Sequence, residues 1–336
     1  MSETHPEYTV SVVIPAYNIG EYVGRAIESV LSQTHKADEI IVVDDGSTDG
    51  TADVIKKYVP RVKYVHQENR GLAGARNTGI RESTCRWVAF LDGDDEWLPD
   101  FLDKQLSLLA RNPDLVWSSS NYYSALHAEG RQAPIIQPNR AADAMDGREH
   151  FEDFFTGYAL GIVGLPDTMV IRRDVIIEAG MYDERLRFAE DWDMWMRLAF
   201  RWPGIGYVKE PIAIYNLDRP GSLMLATPGG EKMRVNCGLM DRHIRLARES
   251  GRYSCFKPCA EFMLRRWIRG LLFCKDQKEI IRQMLARYRE MLPAWYRMWI
   301  RALTVWPRVT AGICHAISHV VRKLRLRRKV VSLPGR

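Results

Sequence analysis

Short apolar runs alternate with segments of helical spacing through the first hundred residues. Four runs read as buried strands: Val10–Ile14, Glu39–Val43, Val62–His66 and Trp87–Leu91. Each of the first three is followed by a turn and a predicted helix, over 22–33, over 52–58 and from about 71 onward, where Ala and Gly suit close packing. Strands that alternate with helices are typical of βαβ units. The pattern therefore predicts an α/β fold with a mostly parallel sheet covered by helices on both faces.

The pattern weakens farther along the chain. Residues 121–148 are polar and contain Pro, whereas Val170–Arg172 reads as another strand and a helix is predicted from Glu190. We expect the loops of this middle region to form the acceptor side of a site. From about Glu231 the spacing is helical, Trp residues lie among many Arg residues, and no internal repeat is present.

Charge divides the chain near residue 230. Residues 1–230 hold 23 Lys and Arg against 35 Asp and Glu, a net charge of −12, whereas residues 231–336 hold 25 against 7, a net charge of +18. We therefore predict a globular domain over 1–230 and a helical, basic extension over 231–336. A basic segment that carries Trp favours a polyanionic partner, either an anionic bilayer or nucleic acid.

Composition argues against several classes of protein. The six cysteines show neither CxxC pairs nor a dense framework, which favours free thiols in a reducing cytoplasm over disulfides or a zinc site. The first apolar stretch is too short for a signal peptide, and no stretch reaches the roughly 18 to 20 apolar residues of a spanning helix. Any action at a membrane is expected from its surface.

Acidic residues gather where predicted strands end. Asp92-Gly93-Asp94-Asp95 follows the fourth strand, and Asp44-Asp45-Gly46-Ser47 follows the second. In open α/β sheets ligands bind at the carboxyl ends of the strands. Adjacent carboxylates can hold a divalent cation that in turn binds a diphosphate, and Asp45 could accept hydrogen bonds from a base or ribose. The alternative for Asp92–Asp95 is a solvated Asp-rich turn or a helix N-cap, and the alternative for Asp44–Ser47 is ordinary turn chemistry.

Three further groups have both a functional and a structural interpretation. Tyr17, in the turn after the first strand, could stack on a base or lie at the edge of the core. Arg76 and Asn77 could reach diphosphate oxygens or cap a helix. Asp191, in the segment Glu190–Asp193, could act as a general base beside Trp192, or it could compensate a helix dipole.

The absence of two phosphate-binding motifs narrows the possible classes of function. Neither GxxxxGK[ST] nor GxGxxG occurs at a strand-to-helix turn, which disfavours P-loop nucleotidases and dinucleotide oxidoreductases. A sugar nucleotidyltransferase stays as an alternative, although Pro15-Ala16-Tyr17-Asn18 is not the Gly-rich basic loop that such enzymes carry. A polyanion-binding scaffold is a second alternative, weakened by the acidic first 230 residues.

Taken in order, these motifs resemble those of family 2 glycosyltransferases with the GT-A fold, of the bacterial cell-surface polysaccharide type. The resemblance spans Val10 to about Ser222, roughly two thirds of the chain, and rests on five segments: 12–18, 42–50, 74–77, 90–95, with the Asp-X-Asp motif Asp92–Asp94, and 189–193. It implies an inverting, metal-dependent transfer of a sugar from a nucleotide sugar, expected to be a UDP-sugar, to a hydroxyl of a saccharide or lipid-linked acceptor.

The resemblance also implies roles for individual residues. Asp191 would be the catalytic base, and Glu190 and Trp192 would lie on the acceptor side. Asp94 and Asp95 would ligate Mg²⁺ or Mn²⁺. The nucleotide-sugar site would comprise Pro15, Tyr17, Asp45, Arg76, Asp92 and Asp94.

Two departures from the family pattern bear on the predicted diphosphate site and on the number of sugars added. Asn216 and Asp218 stand where many members have a Tyr-Arg pair and a His near the diphosphate, although Arg219 could substitute. The QxxRW signature of processive synthases is absent, which indicates addition of a single sugar.

The end of the chain predicts a membrane-surface segment. Apolar residues at helical spacing from Val309 to Val321 precede the basic run Arg322–Lys329. Alternatives are a helix packed on the catalytic domain or a solvated run of charge. Interleaved Trp, Leu and Arg suit the interface of an anionic bilayer, and nucleic acid could attract the same charge. The membrane is preferred because a glycosyltransferase that acts on a lipid-linked acceptor gains local concentration there. We therefore expect a cytoplasmic protein, peripheral on the inner face of the cytoplasmic membrane, with no nucleic-acid partner.

Overall fold

A computed structural model describes residues 8–126, 131–136, 138–162, 164–217, 229–272 and 277–305. The described residues fall into two compact units, one up to Leu217 and one from Gly229 onward. The domain bounds 1–230 and 231–336 stay a prediction.

The first unit is built on one mixed sheet whose neighbours follow the order β3-β2-β1-β4-β9-β6-β10-β5, with β7 paired to β6 and β8 to β10. Its strands are β1 (Val10–Ala16), β2 (Glu39–Asp44), β3 (Lys63–His66), β4 (Trp87–Phe90), β5 (Glu96–Trp97), β6 (Trp117–Leu126), β7 (Arg131–Pro134), β8 (His150–Phe151), β9 (Val170–Arg172) and β10 (Ile205–Asn216). Strands β3, β2, β1 and β4 run parallel, as do β6 and β10, whereas β9 is antiparallel to both β4 and β6. The predicted α/β class with a mostly parallel sheet is confirmed.

Helices flank this sheet, and the four that begin at residues 23, 51, 71 and 190 lie where the sequence predicts helices. The flanking helices are α1 (Val23–Leu31), α2 (Thr51–Lys56), α3 (Gly71–Glu82), α4 (Phe101–Arg111), α5 (Pro138–Ala144), α6 (Phe154–Ala159), α7 (Arg173–Glu178) and α8 (Glu190–Arg201). Helix α3 packs closely on β1, because a Cβ atom at Gly79 would lie 2.2 Å from Cγ1 of Val13. This contact fixes the helix that carries Arg76 against the central strand.

The core lies where the apolar stripe of each helix meets the sheet. In α1 the stripe comprises Val23, Ala26, Ile27 and Val30, all essentially inaccessible to solvent. Strands β1 and β2 are buried along almost their whole length, as expected of parallel strands covered on both faces. Each large apolar side chain buried in this way contributes about 1.5–3 kcal/mol, and the strand ends that carry the polar groups are thereby held rigid.

One long strand occurs where the hydrophobic pattern does not reveal it. Strand β6 begins within a polar segment, and its residues Ser118–Asn121 are buried. Two of their side chains find partners inside the fold: Ser119 Oγ lies 2.8 Å from Oγ1 of Thr168, and Asn121 Nδ2 donates to the carbonyl of Ile136 at 2.7 Å. At these two positions hydrogen bonding accompanies the burial of polar side chains. Hydropathy alone therefore does not predict the strand.

The second unit is helical, as predicted for the chain after residue 231. It comprises α9 (Gly229–Glu249), α10 (Tyr253–Leu272), α11 (Lys278–Arg287) and α12 (Ala294–Val305), each packed on the preceding helix. None of the helices in the described ranges is long and apolar enough to cross a bilayer. The tail segments Val309–Val321 and Arg322–Lys329, and the loop residues Asp218 and Arg219, lie outside the described residues.

Candidate active site

The first wall of the site is formed by the loops that follow β1 and β2. These strands are parallel neighbours, so Ala16 lies opposite Asp44 and the N–H of Asp45 donates to the carbonyl of Ala16 at 2.9 Å. Asn18 lies in the left-handed region at φ 49°, and its Oδ1 accepts a hydrogen bond from the N–H of Thr48 at 2.9 Å. Both loops are thereby held together at the carboxyl edge of the sheet.

Tyr17 and Asp45 occupy this wall in different environments. Tyr17 follows β1 directly and is 47% exposed, which leaves its ring face open to a planar ligand. Pro15 is part of β1 and is buried. Asp45 is 2% exposed, and its Oδ1 accepts from Gln67 Nε2 at 2.6 Å and from the N–H of Arg70 at 2.8 Å. Its carboxylate therefore also fixes the chain that enters α3.

Asp44, the residue before it, has a structural role. Its carboxylate is fully buried and accepts hydrogen bonds from the N–H of Ser47 at 2.9 Å and from Tyr64 Oη at 2.8 Å. Burial by itself would raise the pKa of this carboxyl, but these hydrogen bonds and one with His66 outweigh it and lower the pKa. Asp44 is thus an ionised anchor of the turn rather than a ligand-binding group.

A buried arginine joins two of the acidic motifs. Arg76, on α3, is 1% exposed, and its guanidinium donates to Oε1 of Glu190 and to Oδ1 of Asp92, both at 2.7 Å. It also lies 5.5 Å from the centroid of the Tyr182 ring. The two carboxylates are therefore brought together from β4 and α8 by one cation. In this arrangement Arg76 positions both motifs, and two of its nitrogens are already engaged.

The loop after β4 passes close to the loop after β1. A Cβ atom at Gly93 would lie 2.3 Å from Cδ1 of Ile19 and 3.1 Å from the carbonyl oxygen of Pro15, so only Gly fits there without displacement. Asn216, at the end of β10, holds the same loop from the other side. Its N–H donates to Oδ1 of Asp95 at 2.8 Å, and its side-chain amide donates to the carbonyl of Asp94 at 2.6 Å.

Three carboxylates from two elements converge beneath this loop. Oxygens of Asp92, Asp95 and Asp167 all lie within 4.8 Å of one another, and we refer to these residues as the three-carboxylate cluster. Asp167 belongs to the 3-10 turn Pro166–Thr168, and its Oδ1 accepts from the N–H of Asp92 at 2.5 Å. The indole of Trp97 anchors the turn by donating to the carbonyl of Asp167 at 2.7 Å. Asp94 is half-buried and is not part of this cluster.

The cluster fits a divalent cation. Asp95 and Asp167 are each 1% exposed, and one oxygen of each makes no hydrogen bond among the described residues. Burial raises the pKa of Asp95 well above its ordinary value, and burial together with the charge of Asp92 raises the pKa of Asp167 to about 8. A cluster of buried carboxylates with raised pKa values must hold either protons or a cation. Carboxylate oxygens are the ligands that Mg²⁺ and Mn²⁺ prefer.

Asp191 stands at the start of α8, next to the guanidinium of Arg76. Ala189 precedes the helix in a left-handed conformation at φ 59°, and Oδ1 of Asp191 accepts from the N–H of Trp192 at 2.6 Å. Burial, followed by the charge of Glu190, raises the pKa of Asp191 to about 7, although Arg76 opposes the shift. A carboxylate with this pKa accepts a proton near neutral pH, as a general base must.

The acceptor-side residues predicted from the sequence lie on the same helix. Glu190 is 5% exposed and engaged by Arg76, and Trp192 is 4% exposed. Both residues therefore shape the helix start from within the fold. The sequence does not identify Asp167 and Tyr182 as parts of this site, and it identifies Asn216 only as a departure from the family pattern. The isolated Pro-Asp-Thr of the 3-10 turn carries no motif that could have identified Asp167.

Comparison with known proteins gives a consistent family. Residues 11–179, half of the chain, match the family model described as "Glycosyl transferase family 2". An uncharacterized glycosyltransferase of Rickettsia felis is 33% identical over 196 residues, covering 56% of this chain but only 30% of the relative. The putative teichuronic acid biosynthesis glycosyltransferase TuaG of Bacillus subtilis is 44% identical over 104 residues, covering 30% of this chain and 41% of TuaG.

Solved structures show the same fold at lower identity. Residues 1–349 of S. aureus TarS, crystallised with UDP-GlcNAc, superpose with a TM-score of 0.67 at 18% identity, covering 85% of this chain and 82% of that one. A further structure of S. aureus TarS superposes with a TM-score of 0.62 at 17% identity, covering 88% of this chain and 53% of that one. The chain thus spans less than half the length of the two curated relatives and about half of the latter TarS chain.

Proposed function

The chain belongs to glycosyl transferase family 2, and on that premise we propose that it is an inverting glycosyltransferase. It moves a sugar from a UDP-sugar to a hydroxyl of a saccharide or lipid-linked acceptor during assembly of a surface polysaccharide or glycoconjugate. The observation that carries the proposal is the meeting of Asp92, Arg76 and Glu190 in one hydrogen-bonded group, with Asp191 adjacent to it. TuaG and TarS support the substrate class.

The donor is proposed to bind across the carboxyl ends of β1, β2 and β4. The exposed ring of Tyr17 supplies a stacking surface for the base. Asp45, held by Gln67 and the backbone of Arg70, presents its other oxygen to the uracil or ribose. The diphosphate would then lie toward the loop that contains Asp92 and Asp94.

Asp92, Asp95 and Asp167 are proposed to hold Mg²⁺ or Mn²⁺, with Asp94 as a further candidate ligand from the sequence. The support is the pair of buried oxygens of Asp95 and Asp167 that lack a hydrogen-bond partner among the described residues. When bound, the cation would neutralise negative charge on the departing diphosphate. The ion pair with Arg76 orients Asp92 within this cluster.

Asp191 is proposed to be the catalytic base. Its carboxylate takes the proton of the acceptor hydroxyl while that oxygen forms a bond to C1 of the sugar and the bond from C1 to the diphosphate oxygen breaks. The electron pair of the broken bond leaves with UDP, and the configuration at C1 is inverted. Base assistance of this kind contributes about 10²–10⁴-fold to the rate.

The basic second part of the chain is proposed to associate with the anionic inner face of the cytoplasmic membrane. The charge of residues 231–336, 25 Lys and Arg against 7 Asp and Glu, supports it. Attraction to an anionic surface contributes about 1 kcal/mol for each nearby basic residue. A lipid-linked acceptor would thereby be concentrated near the enzyme.

A thermal-shift panel tests the donor proposal. The protein is heated with UDP-, GDP-, ADP- and TDP-sugars, each with Mn²⁺ and with EDTA. Stabilisation by UDP-sugars that EDTA removes is the expected result, since a ligand that binds only the folded state raises the melting temperature. Equal melting temperatures with every nucleotide sugar would contradict the proposal. Stabilisation by a GDP-, ADP- or TDP-sugar instead would show that the donor carries a nucleobase other than uracil.

A further inference from the structure

Helix α12 exposes a continuous apolar face. Trp295 is 57% exposed, Met298 68% and Trp299 57%, and Ala302 is exposed as well. The spacing of these four positions, i, i+3, i+4 and i+7, places them on one side of the helix. Ile300 and Thr304 are buried, so they form the side of α12 that packs within the second unit. We refer to residues 295, 298, 299 and 302 as the indole face.

Such a face differs from the scattered apolar residues that every protein surface carries. The other large apolar side chains that the structure shows as exposed are isolated residues, whereas two indoles and a thioether here lie side by side. Contiguous exposed apolar patches mark interaction sites. The indole face therefore requires an occupant that accepts aromatic and flexible apolar side chains.

The sequence that contains the indole face carries only positive charges. Residues 291–336 contain ten Lys and Arg and no Asp or Glu. Within the described part, Arg301 is exposed on α12, whereas Arg265 of α10, which lies 5.0 Å from the centroid of the Trp295 ring, is ion-paired with Glu261. Arg266 and Arg269 of α10 are exposed too. The occupant is therefore expected to be anionic.

We propose that the indole face of α12 lies on an anionic lipid bilayer, with Trp295, Met298 and Trp299 at the boundary between headgroups and acyl chains. The inference rests on the membrane association included in the proposed function, and it adds described residues of α12 to the basic tail as the part of the chain that meets the bilayer. Trp is enriched at membrane interfaces because its ring is apolar and its N–H is polar. Neighbouring arginines meet lipid phosphates while their stems stay in apolar surroundings.

Other occupants fit the same observations less well. A second copy of the chain would bring the positive surroundings of two indole faces together, which costs energy through like-charge repulsion. Nucleic acid would use the arginines and could stack on indoles, but Met298, the most exposed of the three, offers no stacking surface. Lipid accommodates all three side chains and the charge.

The test compares the full chain with the double variant Met298→Ser/Trp299→Ser. Ile177→Ser is the matched control, because Ile177 is an isolated apolar residue, 45% exposed, in the first unit. Each protein is floated with phosphatidylcholine vesicles and with vesicles that also contain phosphatidylglycerol. Quenching of tryptophan emission by lipids with brominated acyl chains gives a second readout. It reports insertion, which electrostatic adsorption of the tail alone would not produce.

We expect wild type and the control to bind the anionic vesicles and to be quenched by brominated lipid. The double variant should bind at least about tenfold more weakly, equivalent to about 1.4 kcal/mol, and be quenched less. Equal flotation and quenching of the double variant would overturn the assignment. So would tighter binding of wild type to a DNA duplex than to vesicles, or a dimer that the double variant dissociates.

Binding of UDP to the same proteins separates this inference from the sugar-transfer proposal. If the vesicle results are as expected but the wild-type protein does not bind UDP, the sugar-transfer proposal is wrong and the lipid-binding role of the indole face is supported. If all three proteins bind UDP normally and the double variant still binds vesicles as wild type does, only the lipid-binding role of the indole face is wrong.

Discussion

Replacing Asp191 by Asn removes a carboxylate whose ionisation burial makes costly. The folded state raises the pKa of Asp191 from 3.8 to about 7, so between these values the folded protein binds more protons than the unfolded chain. Stability contributed by this group is therefore present at low pH and falls as pH rises through that window. Asn resembles the protonated acid at every pH and does not incur the loss.

The structure sets the size of the effect. The difference between 3.8 and about 7 corresponds to an upper limit of about 4 kcal/mol at 1.36 kcal/mol for each pKa unit. Asp191→Asn and wild type should therefore unfold with similar free energies near pH 4, and the variant should be more stable near pH 8. Transfer by the variant should nevertheless fall by about 10²–10⁴-fold, because Asn cannot accept a proton.

Urea unfolding at pH 4 and pH 8 measures the first effect, and UDP release in the presence of acceptor measures the second. Donor affinity should stay within a few-fold, since the base contacts the acceptor rather than the nucleotide. The wild-type kcat/KM should rise with pH up to about 7 and then level off. A variant that is less stable than wild type at pH 8 would contradict the raised pKa of Asp191. A variant that retains turnover would contradict its role as catalytic base.

Three further changes have defined outcomes. Asp167→Asn should weaken Mn²⁺ binding by about ten- to hundredfold, measured by titration calorimetry, because the three-carboxylate cluster loses a charge. Arg76→Met should destabilise the fold by about 3–5 kcal/mol in urea unfolding, since Asp92 and Glu190 are left without their buried cation. Removal of Ser318–Arg336 should shift the protein from the membrane fraction to the soluble one, and should reduce transfer to lipid-linked acceptors more than donor hydrolysis.

Each of these has a control and a contradicting result. Asp103→Asn removes an exposed carboxylate on α4 and should leave Mn²⁺ binding unchanged, and equal Mn²⁺ affinity in Asp167→Asn would exclude that ligand. Arg25→Met loses a partly exposed ion pair with Glu96 and should cost at most about 1 kcal/mol. An equal cost for Arg76→Met would contradict its buried bridging role. Full retention of the truncated chain on anionic liposomes would show that the tail is not the anchor.

The fold of the first half could be predicted because its strands and helices have the apolar periods of elements covered on both faces. Strand β6 could not, since its buried residues Ser118–Asn121 are polar, and Ser119 and Asn121 form hydrogen bonds to other parts of the fold. Periodicity reports which side chains avoid water for hydrophobic reasons, and it is insensitive to polar groups that are satisfied internally.

The candidate site likewise contains residues that the sequence predicts and residues that it does not. Asp45 and Asp92 were found because they end strands of a parallel sheet, where topology brings neighbouring loops together. Asp167 was missed because it reaches the cluster from a 3-10 turn 75 residues beyond Asp92 in sequence. Arg76 was expected at the diphosphate, but the structure places its guanidinium between Asp92 and Glu190. Only three-dimensional packing reveals such a bridge.

Titration calorimetry of UDP into the wild-type protein, with Mn²⁺ and again with EDTA, shows whether the first unit holds a metal-assisted nucleotide site. We expect one UDP bound for each chain with Mn²⁺, binding that EDTA abolishes or greatly weakens, and a lower affinity in Asp45→Ala. Absence of UDP binding to the folded protein in both conditions, or equal affinity with Mn²⁺ and with EDTA, would contradict a metal-assisted nucleotide-sugar site at the carboxyl ends of β1, β2 and β4.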